Sequence, residues 1–122
     1  MANIGGNIRA EIQKKITETD ENGDPKRDEM GVAVTSWKGI CTFPGWLAMQ
    51  NGESKHSNFN AKVEESTHVF LSDFIKGVYA LADEDTRLII KGVVYDVLLI
   101  DNPQEMDEQL EIYLRKVGAW RG

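Results

Sequence analysis

Apolar and polar residues alternate with a two-residue period along much of this chain, the signature of strands with one buried face. Ile8, Ala10, Ile12 and Ile16 alternate with Arg9, Glu11 and Lys15, which predicts a first strand with an apolar and a charged side. Lys14 interrupts the apolar side and assigns this strand to a sheet edge or barrel rim. In Asp20-Glu-Asn-Gly-Asp-Pro25, Asn22-Gly23 accepts the positive φ angles of a tight turn and Pro25 ends a ladder, so a hairpin is expected. Residues 32–43 are the return strand, rich in β-formers, with Gly39 marking a bulge or close approach. A central strand follows, with Val63, Thr67, Val69 and Leu71 on one face and Glu64, His68 and Phe70 on the other. Its exit admits two readings: Ser72-Asp73 capping a helix that aligns Phe74, Val78 and Leu81 or Ala82, or an irregular excursion through Gly77 to Asp85.

The last third is the richest in β-formers. Residues 86–100 and 109–117 hold three branched and aromatic runs, separated by Lys91-Gly92 and by a loop containing Asn102-Pro103, which predicts an antiparallel meander. The chain is therefore expected to be mainly β, a small antiparallel β-barrel with a long loop and at most one or two short helices, in one domain over residues 1–122.

The long loop is read at residues 43–60. Gly45, Asn51, Gly52, Ser54, Ser57, Asn58 and Asn60 make it polar, yet Phe43, Trp46, Leu47, Met49 and Phe59 are set into or beside it. A loop of this length in a small domain is functional or disordered. A short helix over residues 46–50 is compatible with Leu, Ala, Met and Gln and would end at Gly52. Large apolar residues in such a segment either fold back on the core or await a partner, and both readings stand. Phe43, Trp46, Leu47, Met49 and Phe59 are the candidate interface or channel-loop residues. As a loop, residues 45–57 are removable without loss of the fold.

Composition narrows the classes. The chain has 122 residues, 41% hydrophobic and 28% charged, enough for one core. With 20 acidic against 14 basic residues and a net charge of -6, bulk attraction to nucleic acid or anionic lipid is disfavoured. The single cysteine, Cys41, forms no internal disulfide, and the N-terminus lacks the basic and apolar regions of a signal peptide, so a reducing cytoplasm is expected. Runs such as residues 97–100 are too short to span a bilayer.

Chemistry-bearing patterns have plainer readings here. Asp20, Asn22 and Asp24 have the alternate spacing of a calcium loop, but Pro25 and Gly31 stand where its sharp-turning glycine and closing Glu belong, so a hairpin turn is the better reading. His56, His68 and Cys41 show no metal-ligand spacing. Cys41 with either histidine would make a nucleophilic pair only with an orienting group and an oxyanion site. Lys76-Gly77 and Lys91-Gly92 are isolated turns, not a phosphate loop. Asp83-Glu84-Asp85 and Glu64-Glu65 read as solvated clusters and not as converging acid/base pairs. No catalytic, cofactor or metal residue is assigned.

The order of these elements resembles the phage head-tail joining family, also called head-closure or stopper proteins. The matching pieces are Asp28-Glu29-Met30-Gly31, Trp37, Thr67-His68-Val69, Arg87-Leu-Ile-Ile-Lys-Gly92-Val-Val-Tyr95-Asp-Val97 and Leu110-Glu-Ile-Tyr-Leu114, in the family's order and over most of the chain. The family's basic residues after the Thr-His-x-Val strand are replaced by Ser72-Asp73-Phe74, and the excursion through residues 75–85 is longer. The resemblance implies a structural protein of a virion or prophage, assembled in the host bacterial cytoplasm. It would join the portal or adaptor ring to the tail, form a homo-oligomeric ring there from subunits monomeric in isolation, and help close a channel that passes DNA without binding it. It implies no enzyme activity, no cofactor and no membrane. The alternative is a small OB-type barrel binding oligonucleotide or another ligand, with Trp37, Phe70 and Tyr113 as stacking aromatics. A small cysteine enzyme rests on Cys41 alone.

Overall fold

The computed structural model describes residues 4–49, 65–81 and 85–121. It is mainly β. Six strands, β1 (Ile8–Thr17), β2 (Thr35–Met49), β3 (His68–Asp73), β4 (Thr86–Ile90), β5 (Val93–Asp101) and β6 (Gln109–Ala119), pair antiparallel in the ring order β1-β2-β3-β6-β5-β4. Pairing of β1 with β4, from Ala10↔Ile90 to Lys14↔Thr86, closes the barrel.

Period-two burial follows from closure, because every second residue points into a space just wide enough for side chains. Ala10, Ile12, Phe43, Phe70, Leu88, Ile90, Tyr95, Val97, Ile100, Leu110, Ile112 and Leu114 fill that space. Phe43 and Phe70 meet edge to face, centroids 5.6 Å apart, a geometry that adds about 0.5–1.5 kcal/mol beyond area burial. The meander forms as expected. Lys91 and Gly92, both at positive φ, turn β4 into β5, and a 3-10 turn (Pro103–Glu105) leads into β6. Asn102 braces that turn, its amide donating to Asp107 Oδ1 at 2.7 Å while its oxygen accepts the Asp107 N–H.

Between β3 and β4 the chain crosses one end of the barrel. Ser72 and Asp73 belong to β3 and cap nothing. A single helical turn, α1 (Lys76–Tyr79), forms instead, with Val78 fully buried and Phe74, Ile75 and Leu81 packed on the core. The crossing therefore acts as a lid, and both sequence readings of it contribute: one turn of helix within an irregular excursion.

Two expectations need correction, and one point the sequence left open is settled. In β3 the inner face carries Phe70 and Ser72, paired with Ile112 and Leu110 of β6, while Val69 and Leu71 are half-buried outside. Alternation alone left the inner face of this strand open, because outer surfaces tolerate scattered Val and Leu. Lys14 lies on no sheet edge, since it registers with Lys38 and Thr86, and of its two expected places the barrel rim is the one found, at the last β1–β4 pair. A bulge beside Gly39 explains its neighbourhood: Ile12 pairs with Cys41 and Gln13 with Gly39, leaving Ile40 extra. The phase changes there, so Gln13 is buried and Ile16 exposed.

The second correction concerns the long loop. Residues 43–49 continue β2, and no helix forms at 46–49. Trp46, Leu47, Ala48 and Met49 pair with Leu71, Phe70, Val69 and His68. Cys41, Phe43, Gly45 and Leu47 point inward and Thr42, Pro44, Trp46 and Ala48 outward, an alternation masked by its Gly and Pro. A side chain at Gly45 would strike the Phe70 ring and the Leu71 carbonyl, so only glycine leaves room. Pro44 is tolerated because β2 there has β1 on one side and no β3 partner on the other. Phe59 lies outside the described residues.

Beyond Lys14↔Thr86 and the Lys15 N–H bond to the Asp85 carbonyl, β1 pairs only with β2, and the two run on as a ribbon. Its outer part, residues 18–34, is an arm made of two turns of one design. The Asp20 side chain accepts the N–H groups of Asn22 and Asp24 at 2.9 and 3.0 Å, and Asp28 accepts those of Met30 and Val32 at 2.9 and 3.0 Å. Gly23 and Gly31 supply the left-handed position in each. Glu18, Lys26 and Val34 then bond in a cycle: Glu18 N–H to Val34 O, Lys26 N–H to Glu18 O, Val34 N–H to Lys26 O, each 2.9 Å. The expected hairpin is thus a double turn.

Candidate interaction surface

The candidate residues separate by the side of β2 on which they fall. Phe43 is core, and Leu47 packs against it half-buried. Trp46 lies outside, 43% exposed, and Met49 at the strand end is 76% exposed. The Trp46 indole donates to the Ile4 carbonyl at 3.0 Å. The Ile4 and Gly5 N–H groups donate to the Asp73 carboxylate, which ties the N-terminal segment across β2 and β3.

Other exposed apolar residues escaped the sequence reading. On the ribbon and arm are Ile16, Ile40, Val32 and Met30, the last 88% exposed. On the end of β6 are Trp120 and Val117, the latter 60% exposed. Met30 carried a signal: it sits inside an Asp-Glu-Met-Gly turn, where polar residues are the norm. Val117 carried none, because the β5/β6 register shift beside Tyr95 and Val94 skips it.

Charge is divided in the same way. Residues 18–34 hold six acidic side chains against Lys26 and Arg27. Residues 114–121 hold Arg115, Lys116 and Arg121 with no acidic residue, and the adjoining β4–β5 turn adds Lys91. Arg115 meets Asp96 at 3.4 Å on the surface. Because neighbouring strands are antiparallel, the ends of β2 and β6, the start of β3 and the β4–β5 turn share one barrel end, opposite the arm.

The titrating groups are structural in their contacts. His68 stands edge-on to Tyr95, centroids 5.1 Å apart, with Nδ1 2.9 Å from Thr67 Oγ1. Burial, and then the Lys116 charge, disfavour its protonation. Asp101 and Glu111 face each other across β5 and β6. Burial, then the Glu111 charge, push the Asp101 carboxyl upward. The Tyr113 hydroxyl donates to Glu111 at 2.9 Å, and burial followed by that bond drives its phenol far above the usual range. Burial raises the Cys41 thiol. Cys41 and Met49, the partner of His68, are about 26 Å apart along an extended strand, so this cysteine and histidine make no pair. His56, Glu64, Asp83 and Glu84 lie outside the described residues. Among the described residues no cluster of three metal-ligating side chains occurs, and no helix is long and apolar enough to cross a membrane.

The aromatics required by the OB-type alternative do not share a face. Trp37 lies on the ribbon under Arg87 and Lys15, 4.2 and 5.4 Å from its ring centre. Arg87 is held there by its Nε–H bond to Gln13 Oε1, 2.7 Å. Phe70 is interior, and Tyr113 lies beside two carboxylates. No protein-family model matches the chain, and no curated protein matches it.

Proposed function

We propose that this chain is a structural protein of a phage or prophage virion that joins the portal or adaptor ring to the tail and helps close the DNA channel. The observation that carries the reading is the placement of apolar surface. The barrel interior is filled, buried side-chain polar atoms among the described residues all have partners, and exposed Met, Val and Trp residues lie on a projecting arm (Met30, Val32) and at the opposite end (Met49, Val117, Trp120), with Met106 in the β5–β6 turn apart from both. Such a molecule offers interfaces to like copies and to neighbouring rings, with no chemistry asked of it. The Asp28–Gly31 turn before Trp37, the Thr67-His68-Val69 entry to β3 and the Arg87 to Val97 hairpin, in that order, support the same reading, and the net charge of -6 suits a channel that passes DNA without holding it. It acts in the virion, as a homo-oligomeric ring, after assembly in the bacterial cytoplasm, and dilute subunits are monomeric.

The test is complementation. DNA-filled heads produced without this protein are mixed with purified protein and tails, and infectious particles and retained DNA are counted. Restored tail joining and DNA retention are expected. Unchanged particle counts, or micromolar salt-sensitive DNA binding by the free protein, would remove the joining role and favour the OB-type alternative.

A further inference from the structure

We infer that copies of this chain associate head to tail: the arm of one copy docks on the barrel end of the next that carries Lys116, Val117, Trp120 and Arg121. In taking this contact as the one that builds a ring, the inference rests on the joining role proposed above; the contact itself does not.

Charge complementarity selects the occupant. Copies of a chain with net charge -6 repel one another, so association has to bring opposite local charges together. The arm offers Glu18, Asp20, Glu21, Asp24, Asp28 and Glu29 against Lys26 and Arg27, and the other end offers Lys91, Lys116 and Arg121 beside the Arg115–Asp96 pair. Arm against arm would oppose acid to acid. The same two regions carry exposed apolar side chains, Met30 and Val32 on one, Val117 and Trp120 on the other, and Met and aromatic residues are those enriched at interface centres. The paired Asp turns and the Glu18-Lys26-Val34 cycle hold the arm in one shape, so docking it costs little ordering entropy. Two unlike patches at opposite ends make a heterologous contact, which repeats from copy to copy and closes into a ring where the rotation allows.

The experiment uses the full chain carrying Cys41→Ser. Protein with Met30→Cys is mixed with protein carrying Val117→Cys at high concentration, oxidised briefly and resolved on a denaturing gel. The mixed dimer is expected to dominate both homodimers. Glu21→Lys with Glu29→Lys on the arm should abolish it, as should Lys116→Glu with Arg121→Glu on the other partner, and combining the two reversed proteins should restore it. Restoration also shows that the reversed variants fold. Equal yields of the three dimers, dominant arm–arm dimers, no mixed dimer or no restoration would each overturn the inference. So would duplex-DNA binding that Lys116→Glu with Arg121→Glu abolishes, since it would give the basic end to nucleic acid. Failed tail joining with an intact cross-link removes the joining role alone, and joined tails without the cross-link remove only this contact.

Discussion

The two halves of β2 obey different rules. From Cys41 to Leu47 the strand alternates inward and outward, and Phe43 and Gly45 are buried against Phe70. From Thr35 to Ile40 the alternation is gone and three residues in succession, Lys38 to Ile40, face solvent. Composition does not separate the halves: the buried one contains Pro44 and Gly45, the exposed one Trp37 and Ile40. Partners do. The buried half gains β3 at Trp46 and forms part of the barrel wall, whereas the exposed half has only β1 beside it and Arg87 stacked on its Trp37. Burial here is a property of what the topology sets across a strand, more than of the strand's own residues.

Excision tests this contrast most strongly. Removing residues 45–49 takes away every β2–β3 pair together with Ile8↔Gly45, so the variant is expected to lose its cooperative thermal transition in circular dichroism. Reading this stretch as a removable loop is corrected by that pairing. Replacing residues 19–33 by Asn-Gly should leave the barrel folded, because Glu18 and Val34 are already hydrogen-bonded neighbours and Asn-Gly closes a two-residue hairpin. A folded first variant or an unfolded second one would show that the arm, and not the strand end, holds the molecule together.

Single substitutions come next in size. Phe70→Ala leaves a cavity beside Phe43, and urea unfolding should show a loss of about 3–5 kcal/mol. Gly45→Ala pushes a methyl into the Phe70 ring and the Leu71 carbonyl, a strain of about 1–3 kcal/mol. On the other half, Ile40→Ala should cost below about 1 kcal/mol, as surface changes do. A large loss at Ile40 would mean that the ribbon packs on something the barrel needs.

Much of this was legible in the sequence, and the failures have physical causes. The meander was readable because the Lys91-Gly92 turn and the branched runs of β4, β5 and β6 agree with each other at short range. The bulge at Gly39 was readable for the same reason. The inner face of β3 was not, because it is set by pairing with β6 some forty residues away. The strand through Pro44 and Gly45 was hidden because each residue breaks a local rule for a non-local reason: a missing neighbour for the proline, an aromatic ring for the glycine. Of the candidate surface, Trp46 and Met49 were found through size in a polar setting, while Phe43 and Leu47 shared that signal and belong to the barrel. The charge division between arm and opposite end was present in the sequence but invisible until antiparallel pairing placed the two at opposite ends.

The smallest expected effect lies on the outer wall of the barrel, where Asp101 and Glu111 face each other. Burial first and the Glu111 charge second raise the Asp101 carboxyl, against the backbone bond from Asn102 that lowers it. A carboxyl raised on folding stabilises the native state while it is protonated. That contribution is complete below the ordinary aspartate value of about 3.9 and is lost as pH rises through the folded value. At neutral pH the charged pair therefore opposes folding. Asp101→Asn, which keeps an oxygen for the Asn102 bond, should raise the urea midpoint at pH 7 by an amount below about 1 kcal/mol, since the groups are only partly buried. The gain should shrink toward nothing below pH of about 4, where the aspartate itself is neutral. A gain at Asp101 that survives acidification would have to come from packing or hydrogen bonding and not from the charge.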